Sequence, residues 1–199
     1  MKKAIIIFQK NKEIGKVKTR LAIDVGNEKA LEIYSFLTNY THEMLAGLEA
    51  DKFLYFSEYL EDVLDLKTQR RIQHGHDLGS RMYHAFKELF ELAYDSLVII
   101  GTDCYELEKK HIEQAFSALQ NHDVVIGPAL DGGYYLLGCR LLVKEIFLNK
   151  NWSTETVCKE TIDTFERLGL RYQLLDVLSD IDTIGDLKDL KQQFGINKV

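Results

Sequence analysis

The chain has 199 residues, a formal net charge of −6, 46% hydrophobic residues and 28% charged residues. That length suits a single domain over residues 1–199 with enough apolar material for a real core. The acidic balance argues against non-specific binding to nucleic acid or membrane, though it leaves room for a local basic pocket.

The N-terminal run Ala4–Phe8 is too short for a signal peptide or a membrane span. It reads instead as a first buried strand. It opens into Lys10–Arg20, which carries five cations, one acid and one glycine. Gly15 would let backbone approach a ligand, and lysine and arginine supply charge-assisted hydrogen bonds, so this loop suits a polyphosphate. A solvated basic turn has the same composition, and the glycine spacing is not that of a Walker A motif. Lys10, Gly15, Lys18 and Arg20 are the nucleotide-binding candidates here.

Apolar residues at helical spacing predict a helix over Asn27–Leu48. Lys52–Phe56 reads as a second strand and Tyr59–Leu66 as a short helix. Arg71–Arg81 looks like a short strand entering a loop with Gly75 and Gly79, followed by an amphipathic helix to about Tyr94. The Gln73 amide, both donor and acceptor, could read the edge of a base. Gly79 would allow close approach, and Arg81 falls in the first turn of the helix. His74 and His76 read as exposed rather than as a metal pair.

Leu97–Ile100 is an apolar run ending at Gly101-Thr-Asp103. It predicts a strand buried on both faces that presents Asp103 at its carboxyl end, where ligands bind in open α/β sheets. Asp103 therefore either holds a metal ion or phosphate-bearing ligand, or caps the next helix, Glu108–Leu119. Asp123–Gly127 is a further strand, delivering Asp131-Gly132-Gly133-Tyr134. This is a hairpin turn that also gathers a carboxylate and backbone N–H groups, hence a candidate acceptor site. Trp152, the single tryptophan, is a candidate pocket wall beside Ser153. Ser153 or Thr154 should cap a helix running to about Leu168. Arg171–Val177 reads as the last strand. Asp180 and Asp182 flank the turn into a final helix that Thr183 could cap. Asp182 is the natural second carboxylate for a metal at Asp103, because Mg²⁺ and Mn²⁺ prefer oxygen ligands. The three cysteines, Cys104, Cys139 and Cys158, are odd in number and far apart. They fit a reduced, cytoplasmic setting.

Taken in order, several motifs form a more specific set than any one of them. They are Gly15-Lys-Val-Lys-Thr-Arg-Leu21, Gln73 with Asp77-Leu-Gly and Arg81-Met82, Ile100-Gly-Thr-Asp-Cys104, Gly127-Pro-Ala with Asp131-Gly-Gly-Tyr-Tyr-Leu-Leu-Gly138, Trp152-Ser-Thr, and Asp180-Ile-Asp-Thr. Together they resemble the DUF2064 family of glycosyltransferase-A-like proteins, related to nucleotide-diphospho-sugar transferases, across nearly the whole chain. The family's first loop usually carries prolines where Lys12 and Ile14 stand, and Tyr105 replaces the proline that usually follows Gly-Thr-Asp-Cys. The resemblance implies an α/β, Rossmann-like GT-A fold with a mostly parallel central sheet flanked by helices. It implies the basic loop on phosphates and the Gln73–Arg81 region near base or ribose. It also implies Asp103 and Asp182 on Mg²⁺ or Mn²⁺, with Asp131–Tyr134, Trp152 and Ser153 on the acceptor side.

The expected function is a metal-dependent transferase that joins a nucleotide donor and a small-molecule acceptor, with Lys18, Arg20 and Asp103 as catalytic residues. No Ser-His-Asp or Cys-His pair suggests a covalent intermediate. Nucleotidyl and glycosyl transfer use the same parts, and a non-catalytic nucleotide-binding module is the alternative. A homodimer is left open.

Overall fold

The computed structural model describes residues 1–62, 67–148, 150–152, 154–188 and 190–196. Its strands are β1 (Lys3–Gln9), β2 (Asp51–Phe56), β3 (Gln69–Ile72), β4 (Ser96–Ile100), β5 (Val124–Pro128), β6 (Tyr134–Cys139) and β7 (Tyr172–Leu174). They form one sheet in the order β3-β2-β1-β4-β6-β5-β7. All neighbours pair in parallel except β6, which runs antiparallel between β4 and β5. The α/β architecture with a mostly parallel sheet is thus as expected, and the Asp131-Gly-Gly turn is the hairpin that inserts the one reversed strand.

Successive strand residues point to opposite faces, and both faces here are apolar. Ala4, Ile6, Phe53, Tyr55, Leu97 and Ile99 pack on α3 (Leu78–Glu91) and α5 (Val157–Arg167). Ile5, Ile7, Leu54, Phe56, Val98 and Ile100 pack on α4 (Lys109–Ala118) and the end of α2 (Asn27–Leu45). Full burial of each such side chain is worth about 1.5–3 kcal/mol. A third cluster joins Leu21 of α1 (Thr19–Val25) and Ile33 and Leu37 of α2 to Ile181, Leu187, Leu190 and Phe194. It clamps the C-terminal segment, with its short α6 (Leu190–Gln193), onto the outer helices and carries Asp182 to the carboxyl end of the sheet.

Several boundaries differ from expectation. Residues 59–62 are not helical, and 63–66 lie outside the described residues. Helix α5 begins at Val157, not at Ser153 or Thr154; the Thr154 hydroxyl instead donates to the Asn151 carbonyl at 2.7 Å. The Glu155 backbone just ahead of the helix lies directly against Gly132 of the hairpin, where a Cβ would find no room. Thr183 caps no helix. Its N–H and hydroxyl both donate to Asp186, and α6 starts only at Leu190. Strand β7 stops at Leu174, but the chain continues beside the hairpin through the Ala129–Leu178 bridge. The three cysteines are free and buried. Among the described residues no helix is long and apolar enough to cross a membrane.

Candidate active site at the carboxyl ends of β1 and β4

An open cleft of about 1640 Å³ lies over these strand ends. It is large enough for a nucleotide and an acceptor together. Lys10, Lys18, Arg20, Gln73 and Arg81 line it, as do Asp103 and Asp182. Asp131, Gly132, Gly133, Tyr134 and Trp152 line it as well. Segments scattered over most of the chain therefore converge on one site. Gly15 and Gly79 do not line it. Gly15 turns the first loop at φ +78°, Gly79 faces the Trp152 indole and the Phe147 carbonyl, and Ser153 lies outside the described residues.

At the centre, Lys18 Nζ stands 2.7 Å from Asp103 Oδ1 and 3.1 Å from Asp182 Oδ1. Arg20 Nη2 reaches Asp182 Oδ2 at 2.6 Å. The Lys18 side chain is 3% exposed. Burial would push its ammonium pKa down, but the facing Asp103 and Asp182 carboxylates prevail and hold it above the ordinary lysine value. Its backbone is left-handed (φ 47°, ψ 44°) just ahead of α1. A non-glycine residue held there costs on the order of 1–3 kcal/mol, and such strain persists where surrounding structure enforces it. Asp103 Oδ1 is itself buried and, among the described residues, faces only the Lys18 ammonium.

The first loop has no proline and is held by polar contacts. The Asn11 side-chain oxygen accepts from the Glu58 N–H at 2.9 Å and from the Ser57 hydroxyl, while its amide donates to the Tyr59 carbonyl and Glu61. The Tyr34 hydroxyl accepts from the Lys10 N–H and donates to the Lys10 carbonyl. Tyr105 anchors the Asp103 loop by packing on Tyr40 at 4.6 Å and Phe36 at 5.7 Å.

On the β3 side, the Gln73 amide donates to the Tyr55 carbonyl at 3.0 Å, and its oxygen accepts from Arg81 Nη1 at 3.4 Å. Its donors are thus spent within the fold, and it orients Arg81. Asp77 caps α3 by accepting from the Ser80 N–H. Opposite, the Gly133 N–H donates to Asp131 Oδ1 at 2.9 Å, and Trp152 meets Tyr134 edge-on at 6.3 Å. Burial pushes the Tyr134 phenol well above its ordinary value.

Asp180 is the residue that sequence reasoning left without a role. Burial first, then the nearby Asp103 charge, raises its pKa to about 7, with Lys18 opposing and Asp131 and Asp182 adding to the rise. Its position two residues before Asp182 was the only signal in the sequence.

Asp103 and Asp182 fit a hard divalent cation. Both present oxygens within reach of a single ammonium, and one of those oxygens is buried without a hydrogen bond. Among the described residues no cluster of three or more His, Cys, Asp or Glu could hold an ion, so other ligands would come from substrate oxygens, as is usual for Mg²⁺.

Residues 45–154 match the family described as an uncharacterized protein conserved in bacteria, DUF2064. The chain belongs to the DUF2064 family. The DUF2064 protein is similar to a crystal structure from Desulfovibrio desulfuricans G20, provisionally assigned as a nucleotide-diphospho-sugar transferase. The two are 34% identical with a TM-score of 0.90, over 97% of this chain and 88% of that one. It is also 26% identical to 2-phospho-L-lactate guanylyltransferase from Methanocaldococcus jannaschii, over 89% of this chain and 78% of that protein. The 4-diphosphocytidyl-2C-methyl-D-erythritol synthase from Anaerococcus prevotii shares the fold, with a TM-score of 0.64 at 11% identity over 98% and 96% of the two chains. The DUF2064 chain thereby stands among transferases of this fold class.

Proposed function

We propose that the protein is a metal-dependent nucleotidyltransferase. The observation that carries this reading is the alternating cluster of Asp103, Lys18, Asp182 and Arg20 within a cleft bordered by a basic loop. The guanylyltransferase name of a relative spanning 89% of the chain supports it.

In this reading Asp103 and Asp182 hold Mg²⁺ or Mn²⁺, which when bound neutralises charge on the triphosphate. With the carboxylates so engaged, Lys18 Nζ is free to turn to the phosphates. Lys10 and Arg20 add charge-assisted hydrogen bonds to the same oxygens. Arg81, steadied by Gln73, lies toward base and ribose. The acceptor is held on the Asp131–Tyr134 and Trp152 side, so that its nucleophilic oxygen attacks the α-phosphorus and pyrophosphate leaves. Positioning and charge neutralisation supply most of what such a transfer needs.

Glycosyl transfer uses the same parts and is favoured by the assignment of the Desulfovibrio relative. A thermal-shift panel tests nucleotide binding. Nucleoside triphosphates and nucleotide sugars are each added with and without Mg²⁺ or Mn²⁺. A ligand at about 100 times its Kd stabilises a fold by roughly 2.7 kcal/mol. A metal-dependent shift for triphosphates supports nucleotidyl transfer, and a shift confined to nucleotide sugars contradicts it.

A further inference from the structure

The cations of the cleft come from one part of the chain, although Glu13, Glu58 and Asp77 line it there too. Its five cations, Lys10, Lys16, Lys18, Arg20 and Arg81, all come from residues 10–81. Lining residues from 99 to 182 contribute five carboxylates, Asp103, Asp131, Glu155, Asp180 and Asp182, and no cation. The wall opposite the basic loop combines Asp131 and Glu155 with the Tyr134–Trp152 aromatic pair. A phosphate or carboxylate placed there would face Asp131 and Glu155 as like charges.

The first turn of α5 does not reverse this. Helix N-termini favour anions through free N–H groups. Here the Val157 N–H already donates to the Thr154 carbonyl and the Cys158 N–H to the Gly132 carbonyl at 2.9 Å. Two glycines build the wall rather than leave it to chance. A side chain at Gly79 would collide with the Trp152 indole, and one at Gly132 with the Glu155 backbone. Asp131 keeps one oxygen for the Gly133 N–H, while its other oxygen makes no hydrogen bond among the described residues.

We propose that the acceptor is a neutral polyol that lays an apolar face on Trp152 and offers a hydroxyl as nucleophile, with Asp131 and Glu155 excluding phosphorylated acceptors. This rests on the nucleotidyl-transfer reading above. In the step, the acceptor hydroxyl oxygen forms a bond to the α-phosphorus of the nucleoside triphosphate. The bond from that phosphorus to the bridging oxygen breaks, and pyrophosphate leaves with the electron pair. The hydroxyl proton passes to the free oxygen of Asp131. The acceptor thus differs in class from the phosphorylated acid named for the Methanocaldococcus relative.

The test compares matched probes, glycerol with glycerol 3-phosphate and glucose with glucose 1-phosphate. Binding is followed by saturation-transfer NMR on the full chain with Mg²⁺ and excess pyrophosphate to fill the basic loop. The unphosphorylated member of at least one pair is expected to bind tighter. The exposed Glu155→Lys variant is expected to shift the ratio toward the phosphorylated member by roughly tenfold. Tighter binding of the phosphorylated member by the unaltered protein overturns the proposal. So does binding of neither member, or a ratio that Glu155→Lys leaves unmoved. Failure of the underlying reading appears separately, as the lack of a melting shift with any nucleoside triphosphate.

Discussion

Lys18 stands between Asp103 and Asp182, with Nζ 2.7 and 3.1 Å from their oxygens. An ammonium and a divalent ion cannot both stand there. A divalent ion held by the two carboxylates, as proposed, would have to displace Lys18, and triphosphate oxygens would give it somewhere to go.

It follows that Lys18→Met should bind Mn²⁺ alone more tightly than the unaltered protein, by about tenfold or more, while losing affinity for triphosphate. Titration followed by the electron paramagnetic resonance of free Mn²⁺ reads the first effect. The variant should also melt lower in chelator. Because both carboxylates are partly open to solvent, the loss should lie between the exposed-pair and buried-pair limits, on the order of 1–3 kcal/mol. Mn²⁺ should restore it. Unchanged metal affinity would sink the exchange.

Asp180 sets a pH dependence. Its folded-state pKa, raised by burial and by Asp103 to about 7 from an ordinary 3.8, means that the folded protein holds this proton more tightly than the unfolded chain. Between those values the folded state binds more protons, so its stability falls as pH rises through the window and stays lower above it. Asp180→Asn should remove that fall and melt higher than the unaltered protein at pH above about 7 in chelator. Equal slopes of melting temperature against pH for the two proteins would contradict it.

Trp152 reports on the other wall. In Gly79→Ala the new methyl must displace the indole or the Phe147 carbonyl, an overpacking that typically costs about 1–3 kcal/mol. Because the chain has one tryptophan, its emission reads the displacement directly. A red shift is expected, with acceptor KM raised and triphosphate affinity little changed. An unshifted spectrum would mean that the indole is not held against α3.

Asp103 was legible because four apolar residues end at it, and a strand buried on both faces can show a charge only at its end. The basic loop was legible in composition but not in geometry. No local pattern puts Lys18 in a left-handed conformation with its ammonium turned back on two carboxylates from distant segments. The hairpin at Asp131-Gly-Gly could be read, whereas the insertion of β6 between β4 and β5 is a tertiary choice. The expected helix start at Ser153 or Thr154 could not take account of the packing of Glu155 against Gly132, a contact between distant segments. Asp180 looked like any acid near a turn, and its environment arises only when Asp103, Asp131 and Asp182 meet around it.

The most direct test is ³¹P NMR of the products formed from a nucleoside triphosphate, Mg²⁺ and an acceptor, for the unaltered protein and for Asp103→Asn. The account predicts pyrophosphate in step with a nucleotidylated acceptor, and at least about 100-fold less of both in Asp103→Asn, since even groups that merely support a metal ligand are worth 10–100-fold. Turnover only of nucleotide sugars with release of a nucleoside diphosphate, or undiminished metal-dependent pyrophosphate release by a folded Asp103→Asn protein, would contradict it.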